Sequence, residues 1–569
     1  MVTVKERPWL QHYPDEISHT LKYDEIPLYD FLVQTAEKHP EKVALHFLGK
    51  EVTFKELLYK AKQMAQFLKE KGLRKGDRVA SMLPNCPQAV ITYYGALLAG
   101  GIVVQVNPLF TERELHYQME DSGAKYIVCL DILYPRVEAV RQKTDLEHII
   151  VTGIKDYLPF PKNLLYPFVQ RREYGVIEKA VESSDTHYWK SVQAIDPSSF
   201  TVADDVDPKN DLALIQYTGG TTGKPKGVML THFNLVVNVQ MCDAWMYKLK
   251  ESEEVILGVL PFFHVYGMTT VMNLGIMYGA KTVLLPKFDA GEVLKTIEKL
   301  KPTLFPGAPT IYIGLLSHPK LKEYDLSSIE ACISGSAGLP LEVQQRFEAE
   351  TGGRLVEGYG LTETSPVTHA NFIWDMRING SIGVPWPDTD AKVVDSETME
   401  EMPIGEVGEI AVKGPQIMKG YWNMEEETEE VLKEDGWLLT GDMGRMDDQG
   451  YFYVEDRKSD MIIAGGYNIY PREIEEVLYE YEGVQEVAVI GVPDEYRGET
   501  VKAYIITRDG EPLDEQQLHT YCRKHLAAYK IPRIYEFRDE LPKTIVGKVI
   551  KRQLVEESIA ALEKEEKAN

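Results

Sequence analysis

Residues 217–227 read YTGGTTGKPKG, with four glycines, three threonines and two lysines in eleven positions. Glycines let backbone N–H groups approach an anion without a Cβ in the way. Threonine hydroxyls add donors, and lysines offset negative charge. The composition is that of a phosphate grip. It is not the Walker motif, which needs four residues between its glycines and then Gly-Lys-Ser/Thr. Here three residues separate Gly219 from Gly223, and Lys224 is followed by Pro225, which carries no hydroxyl. Taken alone, such a loop is equally a flexible Gly/Thr surface turn. Apolar Leu212-Ala213-Leu214-Ile215 leads in and Val228-Met229-Leu230 leads out. That layout predicts a strand ending in the loop, with helix-compatible residues after it.

Six further motifs follow in order: PFFHVYG (261–267), GSAGLP (335–340), EGYGLTETSP (357–366), TGD (440–442), DRKSDMIIAGGYNIYP (456–471) and LPKTIVGK (541–548). In this order and at these intervals the chain resembles the adenylate-forming superfamily, the AMP-binding enzymes, over essentially its whole length. Within that group RPWLQHYP near the N-terminus, VNPLFTERELHYQMEDSGAK (106–125) and IQYTGGTTGKPKGVMLTH (215–232) are most similar to bacterial long-chain fatty acid–CoA ligases.

The resemblance implies a two-step reaction. A fatty acid carboxylate attacks the α-phosphate of ATP, and the thiol of CoA then displaces AMP. The first step sets an anion against a triphosphate, so positive charge and oriented donors are required. By resemblance, Thr218, Gly219, Gly220, Thr221, Thr222 and Lys226 grip the β- and γ-phosphates. Thr362 contacts the α-phosphate, and Glu363 holds Mg²⁺, a hard cation that favours carboxylate oxygen. Tyr359 stacks on adenine against the backbone of Gly335, Ser336 and Ala337. Asp442 accepts from the ribose diol, with Arg457 as a second contact. Lys548 is the implied catalytic residue, bridging carboxylate and α-phosphate. His264, which alone reads as a core histidine, corresponds to a position lining the carboxylate pocket and thiol path. Taken singly, Glu363 reads as a surface acid and Lys548 as a solvated lysine.

Lys548 serves adenylation but obstructs the thiol. The resemblance therefore implies a small domain that rotates about a hinge and brings the loop around Gly466 into the lysine's place. The hinge position that commonly carries Lys or Asp is Ser459 here, which is expected to alter the balance between the two states. Arg523, Lys524, His525, Lys530 and Arg533 are a candidate grip for the CoA phosphates, or simply a solvated basic face.

The elements that must position these groups are legible as pattern. Leu57, Leu58, Ala61, Met64, Ala65 and Leu68 share one helical face, and Arg78-Val79-Ala80-Ser81-Met82 reads as a strand. Val293, Leu294, Ile297 and Leu300 mark another helix, with Thr303-Leu304-Phe305 as the strand after it. Helix–strand alternation predicts an α/β multidomain architecture. It comprises a large N-terminal region of several sheets with flanking helices (1–455), a hinge (456–460) and a small mobile α+β lid (461–569). In the lid, Pro471 opens a helix carrying Ile474, Val477 and Leu478, and strands are expected at 487–492 and 501–507. Residues 155–208 read as an irregular peripheral excursion. Its FPKNLLYPFVQRR stretch suits surface packing or contact with a membrane.

At 569 residues the chain exceeds what one core organises, roughly 250–300 residues. A net charge of −26 argues against nucleic acid and against a general attraction to anionic lipid. Five scattered cysteines, Cys86, Cys129, Cys242, Cys332 and Cys522, form no CxxC; they suit a reducing cytoplasm and no structural zinc. The first residues contain no apolar secretion core. Residues 255–280 carry no charge but include Pro261, His264, Asn273 and four glycines, so a buried pocket wall is expected rather than a membrane span. The expected cofactors are ATP, Mg²⁺ and CoA as cosubstrate. Peripheral contact with the inner face of the membrane and a homodimer stay open. So do a medium-chain or aryl-CoA ligase and, from another class, a catalytically inactive acyl-lipid-binding protein.

Overall fold

The computed structural model describes residues 7–175, 180–202, 205–218, 224–464, 467–494, 497–508, 513–544 and 547–568. An eight-stranded sheet organises the N-terminal half. Its order runs from Gly420–Tyr421 through Lys226–Thr231, Leu212–Thr218, Ile102–Gln105, Arg78–Met82, Tyr126–Leu130 and His148–Thr152 to Thr186–Tyr188. From Leu212–Thr218 to Thr186–Tyr188 every pairing is parallel. The central strands are buried on both faces, as parallel sheets require. The helix Phe54–Glu70 buries Leu57, Ala61, Met64, Ala65 and Leu68, with Thr53 and Glu56 closing a capping box at its start.

A second layer is built from two four-stranded sheets. The first holds Val255–Gly258, Lys281–Leu284, Val43–Phe47 and Lys50–Thr53; the second holds Ala331–Ser334, Arg354–Gly360, Val367–Ala370 and Val384–Pro385. Leu304 bridges Ile256 on one side and Ala331 on the other, so the expected strand at 303–305 is reduced to a single-residue link between them. A four-stranded antiparallel sheet, Asp390–Val394, Gly408–Lys413, Leu438–Met446 and Phe452–Arg457, completes the large region. Segment 456–460 spans the end of its last strand and the turn after it. The lid beyond has its own five-stranded sheet, flanked by the helices Pro471–Tyr479, Glu515–His525 and Lys551–Ala568. Its long strands Val484–Asp494 and Gly498–Thr507 contain both runs read from the sequence.

Two expectations are corrected. The residues after the glycine-rich loop are not helical. Lys226–Thr231 is a strand that returns antiparallel to Leu212–Thr218, and the helix starts only at His232. Alternating burial of Val228 and Leu230 against a half-buried Met229 suits a strand. Thr231 then caps the helix by accepting from the Asn234 N–H. The stretch 155–208 is also less irregular than expected. It contains the helix Lys162–Tyr174 and contributes the edge strand Thr186–Tyr188. The uncharged stretch 255–280 is a strand followed by short helical turns with a π segment at Met268–Asn273, almost wholly buried. No helix among the described residues is long and apolar enough to cross a membrane.

The start of the helix His232–Trp245 is tied to the N-terminal segment, because the Leu28 N–H donates to His232 Nδ1 at 3.1 Å. That bond requires an unprotonated Nδ1, and burial lowers the imidazole pKa to about 4. The folded value lies below the unfolded one, so the unfolded chain binds more protons in between. This contribution is complete above about pH 6.5 and is lost as pH falls toward 4, by at most about 1.4 kcal/mol per unit. His232→Asn keeps an acceptor but cannot titrate. Thermal midpoints measured between pH 7 and 4.5 should fall less steeply for this variant than for the parent; equal slopes would dismiss His232 as an acid-sensitive point.

Candidate active site

A cavity of about 400 Å³ opens where the hairpin 212–231, the second-layer sheet, the antiparallel sheet and the lid converge. Thr218 and Lys226 line it from facing positions of the hairpin. Gly219, Gly220, Thr221 and Thr222 lie outside the described residues. The hairpin is anchored from outside: Tyr217 Oη donates to Asp121 Oδ2 at 2.5 Å, and Tyr117 Oη donates to the Pro225 carbonyl at 3.0 Å.

Tyr359, Thr362 and Glu363 reach the cavity from the end of the strand Arg354–Gly360 and the 3-10 turn after it. The chain doubles back so tightly that a Cβ on Gly360 would lie 2.0 Å from the Pro366 carbonyl oxygen. Gly335 and Ser336 line the same cavity after the strand Ala331–Ser334. Ala337 lines an adjoining one of about 260 Å³, shared with Tyr359. Ser336 adopts φ +72°, which turns the backbone across the tyrosine ring's side of the site.

The polar frame is explicit. Asp442 and Arg457 are register partners in adjacent strands, and Arg457 Nε meets Asp442 Oδ1 at 2.7 Å. Tyr359 Oη donates to the other carboxylate oxygen at 2.6 Å. Burial, then Asp442, pushes the Tyr359 hydroxyl pKa far up, so it stays a donor. Glu409, also buried, accepts from the Gly441 N–H at 2.9 Å and meets Lys458 Nζ at 3.2 Å, which fixes the turn before Asp442.

Glu363 accepts from Tyr421 Oη at 2.8 Å, and Lys226 Nζ lies 4.8 Å from the centre of the same ring. Tyr421 thus links the phosphate hairpin to the acid. Sequence reading missed both Tyr421 and Glu409. Neither lies in a motif rich in chemistry, although the GYW at 420–422 sits in a two-residue strand paired with Val228 and Met229. Among the described residues no cluster of three or more His, Cys, Asp or Glu could hold a metal by itself. One carboxylate beside a phosphate grip suits Mg²⁺, which takes its remaining ligands from phosphates and water.

His264 lines the apolar end of the cavity with Val265, Tyr266, Ile333 and Val367. Burial lowers its pKa to about 4, so it is neutral at pH 7. Lys548 arrives from the lid and lines both cavities. It keeps exposed surface, yet burial of its ammonium and then the charge of Arg457 hold its pKa below the usual lysine range, opposed by Asp442 and Asp460.

The remaining candidates are not gathered here. Ser459 is exposed and donates to Asp460 Oδ1 at 3.1 Å, and Gly466 lies outside the described residues. Arg523, Lys524 and His525 end the helix Glu515–His525 on the lid's surface, and Arg533 is exposed. Lys530 is paired with Glu473 at 2.7 Å. Ser459, Arg523, Lys524, His525, Lys530 and Arg533 line neither cavity.

A buried strand-pair acid, a tyrosine, the two residues Thr218 and Lys226 of the glycine-rich hairpin and a lysine from the C-terminal region thus line two adjoining cavities. The chain belongs to the AMP-binding enzyme family: residues 32–422 match the AMP-binding enzyme model and 473–548 its C-terminal domain. It is 56% identical to a long-chain-fatty-acid–CoA ligase of Bacillus subtilis over 97% of this chain and 98% of that protein. It is 38% identical to the ligase of the same name from Escherichia coli O6:H1, at the same coverage of both chains. Among solved structures it resembles ATP-bound MatB from Rhodopseudomonas palustris (31% identity, TM-score 0.81, 93% of this chain and 99% of that one). It also resembles the anthranilate CoA ligase AuaEII in complex with anthranoyl-AMP (28% identity, TM-score 0.80, 99% and 100%).

One close approach lies at the boundary between the lid and the large region. A Cβ on Gly547 would lie 1.8 Å from Thr310 Oγ1 of the large region, and Gly547 has φ +81°. Gly547→Ala should therefore disfavour the docked arrangement. Small-angle scattering should show a larger radius of gyration, and adding Thr310→Gly should recover part of the compaction. An unchanged scattering curve for the single variant would refute this contact as the docking constraint.

Proposed function

We propose that this chain is an AMP-forming acid–thiol ligase that activates long-chain fatty acids to acyl-CoA with ATP, Mg²⁺ and CoA. The observation that carries the reading is Lys548, held by the lid in the cavity that the phosphate hairpin and the Asp442 frame also line. The fatty acid carboxylate attacks the α-phosphorus of ATP, one P–O bond forms, and the bond to pyrophosphate breaks. The CoA sulfur, having lost its proton, then attacks the acyl carbonyl carbon, and AMP leaves with the bonding electrons.

In this reading Thr218, the glycines and threonines of 219–222, and Lys226 hold the departing pyrophosphate. Thr362 contacts the α-phosphate. Asp442 and Arg457 hold the ribose, and Tyr359 with the Gly335-Ser336-Ala337 backbone encloses adenine. Bound Mg²⁺, held through Glu363, supplies positive charge beside the phosphate oxygens. Lys548 bridges the two anions as charge moves between them. Neutral His264 offers a hydrogen bond to the carboxylate without competing as a cation. Rotation at 456–460 then withdraws Lys548 and opens the thiol path past Gly466. The surface arginines and lysines 523, 524, 530 and 533 remain the proposed CoA phosphate grip, and Lys530 must exchange Glu473 for phosphate to join it. The ligase works in the cytoplasm, with peripheral contact at the membrane that holds its acid substrate.

Lys548→Ala should lower fatty-acid-dependent pyrophosphate release by ~10²–10³-fold. Thioester formation from supplied acyl-adenylate and CoA should change only a few-fold. Acids from C6 to C18 and coumarate, compared in the parent, test the substrate class: no release with any carboxylate would favour a binding protein, and coumarate as best substrate an aryl ligase.

Tyr421→Phe keeps the ring under Lys226 but frees one oxygen of Glu363. It should raise the Mg²⁺ concentration for half-maximal pyrophosphate release by about 10-fold, as loss of an outer-shell bond commonly does. Tyr421→Leu removes the ring as well and should also raise KM for ATP. An unchanged Mg²⁺ titration in both variants would remove Tyr421 from the site.

A further inference from the structure

The helix Lys162–Tyr174 is mounted inside out. Its buried side is narrow and largely polar: Gln170 is buried and donates to Asp131 Oδ1 at 2.8 Å, Asn163 is half-buried, and Tyr166 between them packs its ring against the core. Its other large apolar residues face solvent. Phe168 is 74% exposed and Leu164 62%, with Leu165 and Val169 more than half exposed. Phe160 precedes the helix at 79% exposure, Tyr174 ends it half exposed, and Val181 further along the chain is exposed as well. Seven of the eighteen exposed large hydrophobic side chains among the described residues thus fall between 160 and 181. Scattered surface apolar residues need no explanation, but this concentration does.

Charge follows the same face. Arg172 lies four residues beyond Phe168 and seven beyond Leu165, on one helical stripe, and Arg171 lies seven beyond Leu164. Both arginines are exposed, as is Lys162 at the helix start, whose ammonium donates to the Leu48 carbonyl at 3.0 Å. The helix's acid, Glu173, faces sideways to Lys287 at 3.5 Å, next to the partly exposed Phe288. In a chain of net charge −26, an exposed apolar stripe edged by cations is a local reversal of the surface.

We infer that this helix is a docking surface for a lipid bilayer bearing anionic headgroups. An apolar stripe with basic residues at its margin lies in the plane of such an interface, the side chains among the acyl chains and the cations at the headgroups. A second copy of this chain suits the face less well, because pairing the helix with itself would set Arg171 and Arg172 against the same arginines. The use of the surface, delivery of a membrane-dissolved acid, rests on the fatty-acid reading; the binding does not.

The test is vesicle flotation of the full-length protein without ATP or acid. Phosphatidylcholine vesicles with about 30 mol% phosphatidylglycerol are compared with pure phosphatidylcholine. The parent should float with the mixed vesicles and less with the neutral ones. Leu165→Ser/Phe168→Ser, both exposed positions, should reduce the bound fraction about 10-fold or more. Arg171→Glu/Arg172→Glu should remove the preference for anionic vesicles. Hexanoate-dependent pyrophosphate release without vesicles should match the parent in both variants, which shows intact folding. Failure of the parent to float, or flotation untouched by either variant, overturns the inference. So does a shift from dimer to monomer in sedimentation equilibrium for the apolar variant, which would make the face a contact between copies. Absence of carboxylate-dependent turnover in the parent would instead overturn the ligase reading and leave the flotation result standing.

Discussion

Arg457 closes the last strand of the large region directly opposite Asp442, and the ion pair between them is the joint of the whole site. The register of two antiparallel strands sets this pair. The side chain of Asp442 is only 4% exposed, against 35% for Arg457. A carboxylate that deep needs its partners, because removing one partner of a buried pair typically costs about 3–5 kcal/mol. Asp442 has two, Arg457 and the Tyr359 hydroxyl. The ring of Tyr359 and the end of the last strand are therefore held by one carboxylate. Arg457 lies within the segment 456–460 that joins the large region to the smaller C-terminal one, so the ion pair also ties down the start of that connection.

The same joint sets the electrostatics that Lys548 meets. Arg457 opposes its charge while Asp442 and Asp460 favour it. Burial, the larger effect, holds the ammonium below its usual pKa. Phosphate and carboxylate oxygens would reverse that imbalance, so the lysine gains most from docking when both anions are present.

Much of this was legible in the sequence because the relevant groups sit in contiguous motifs. Thr218, Lys226, Tyr359, Glu363, Asp442, Arg457 and Lys548 each sit in a motif whose order along the chain carries the family resemblance, and each lines one or both of the two cavities. The helix at 54–70, the strand at 78–82 and both long lid strands follow from burial periodicity. What escaped was set by partners far away in the chain. Val228-Met229-Leu230 suits helix or strand by local preference. Pairing with 212–218 and 420–421, together with the Thr231 cap, selects the strand. Tyr421 acquires its place only when that short pairing brings it beside Glu363, 58 residues earlier in the chain. The helix 162–174 was obscured for the opposite reason, since its apolar residues face outward and mimic no core pattern.

The boundary between the large region and the C-terminal one is polar. Each buried apolar cluster of the lid is made of its own residues, and none extends into the large region. Contacts across the boundary are instead charged: Arg472 meets Glu357 at 3.3 Å and Lys551 lies 3.7 Å from Asp456, while Arg508 meets Glu342 at 3.0 Å. Glu357 is buried, and desolvation raises its pKa despite the adjacent guanidinium. Desolvation of a buried pair can match or exceed its Coulomb attraction. Pairs of this kind fix the orientation of the C-terminal region by the geometry of charged groups, with no shared apolar cluster among the described residues to bind it to the large region.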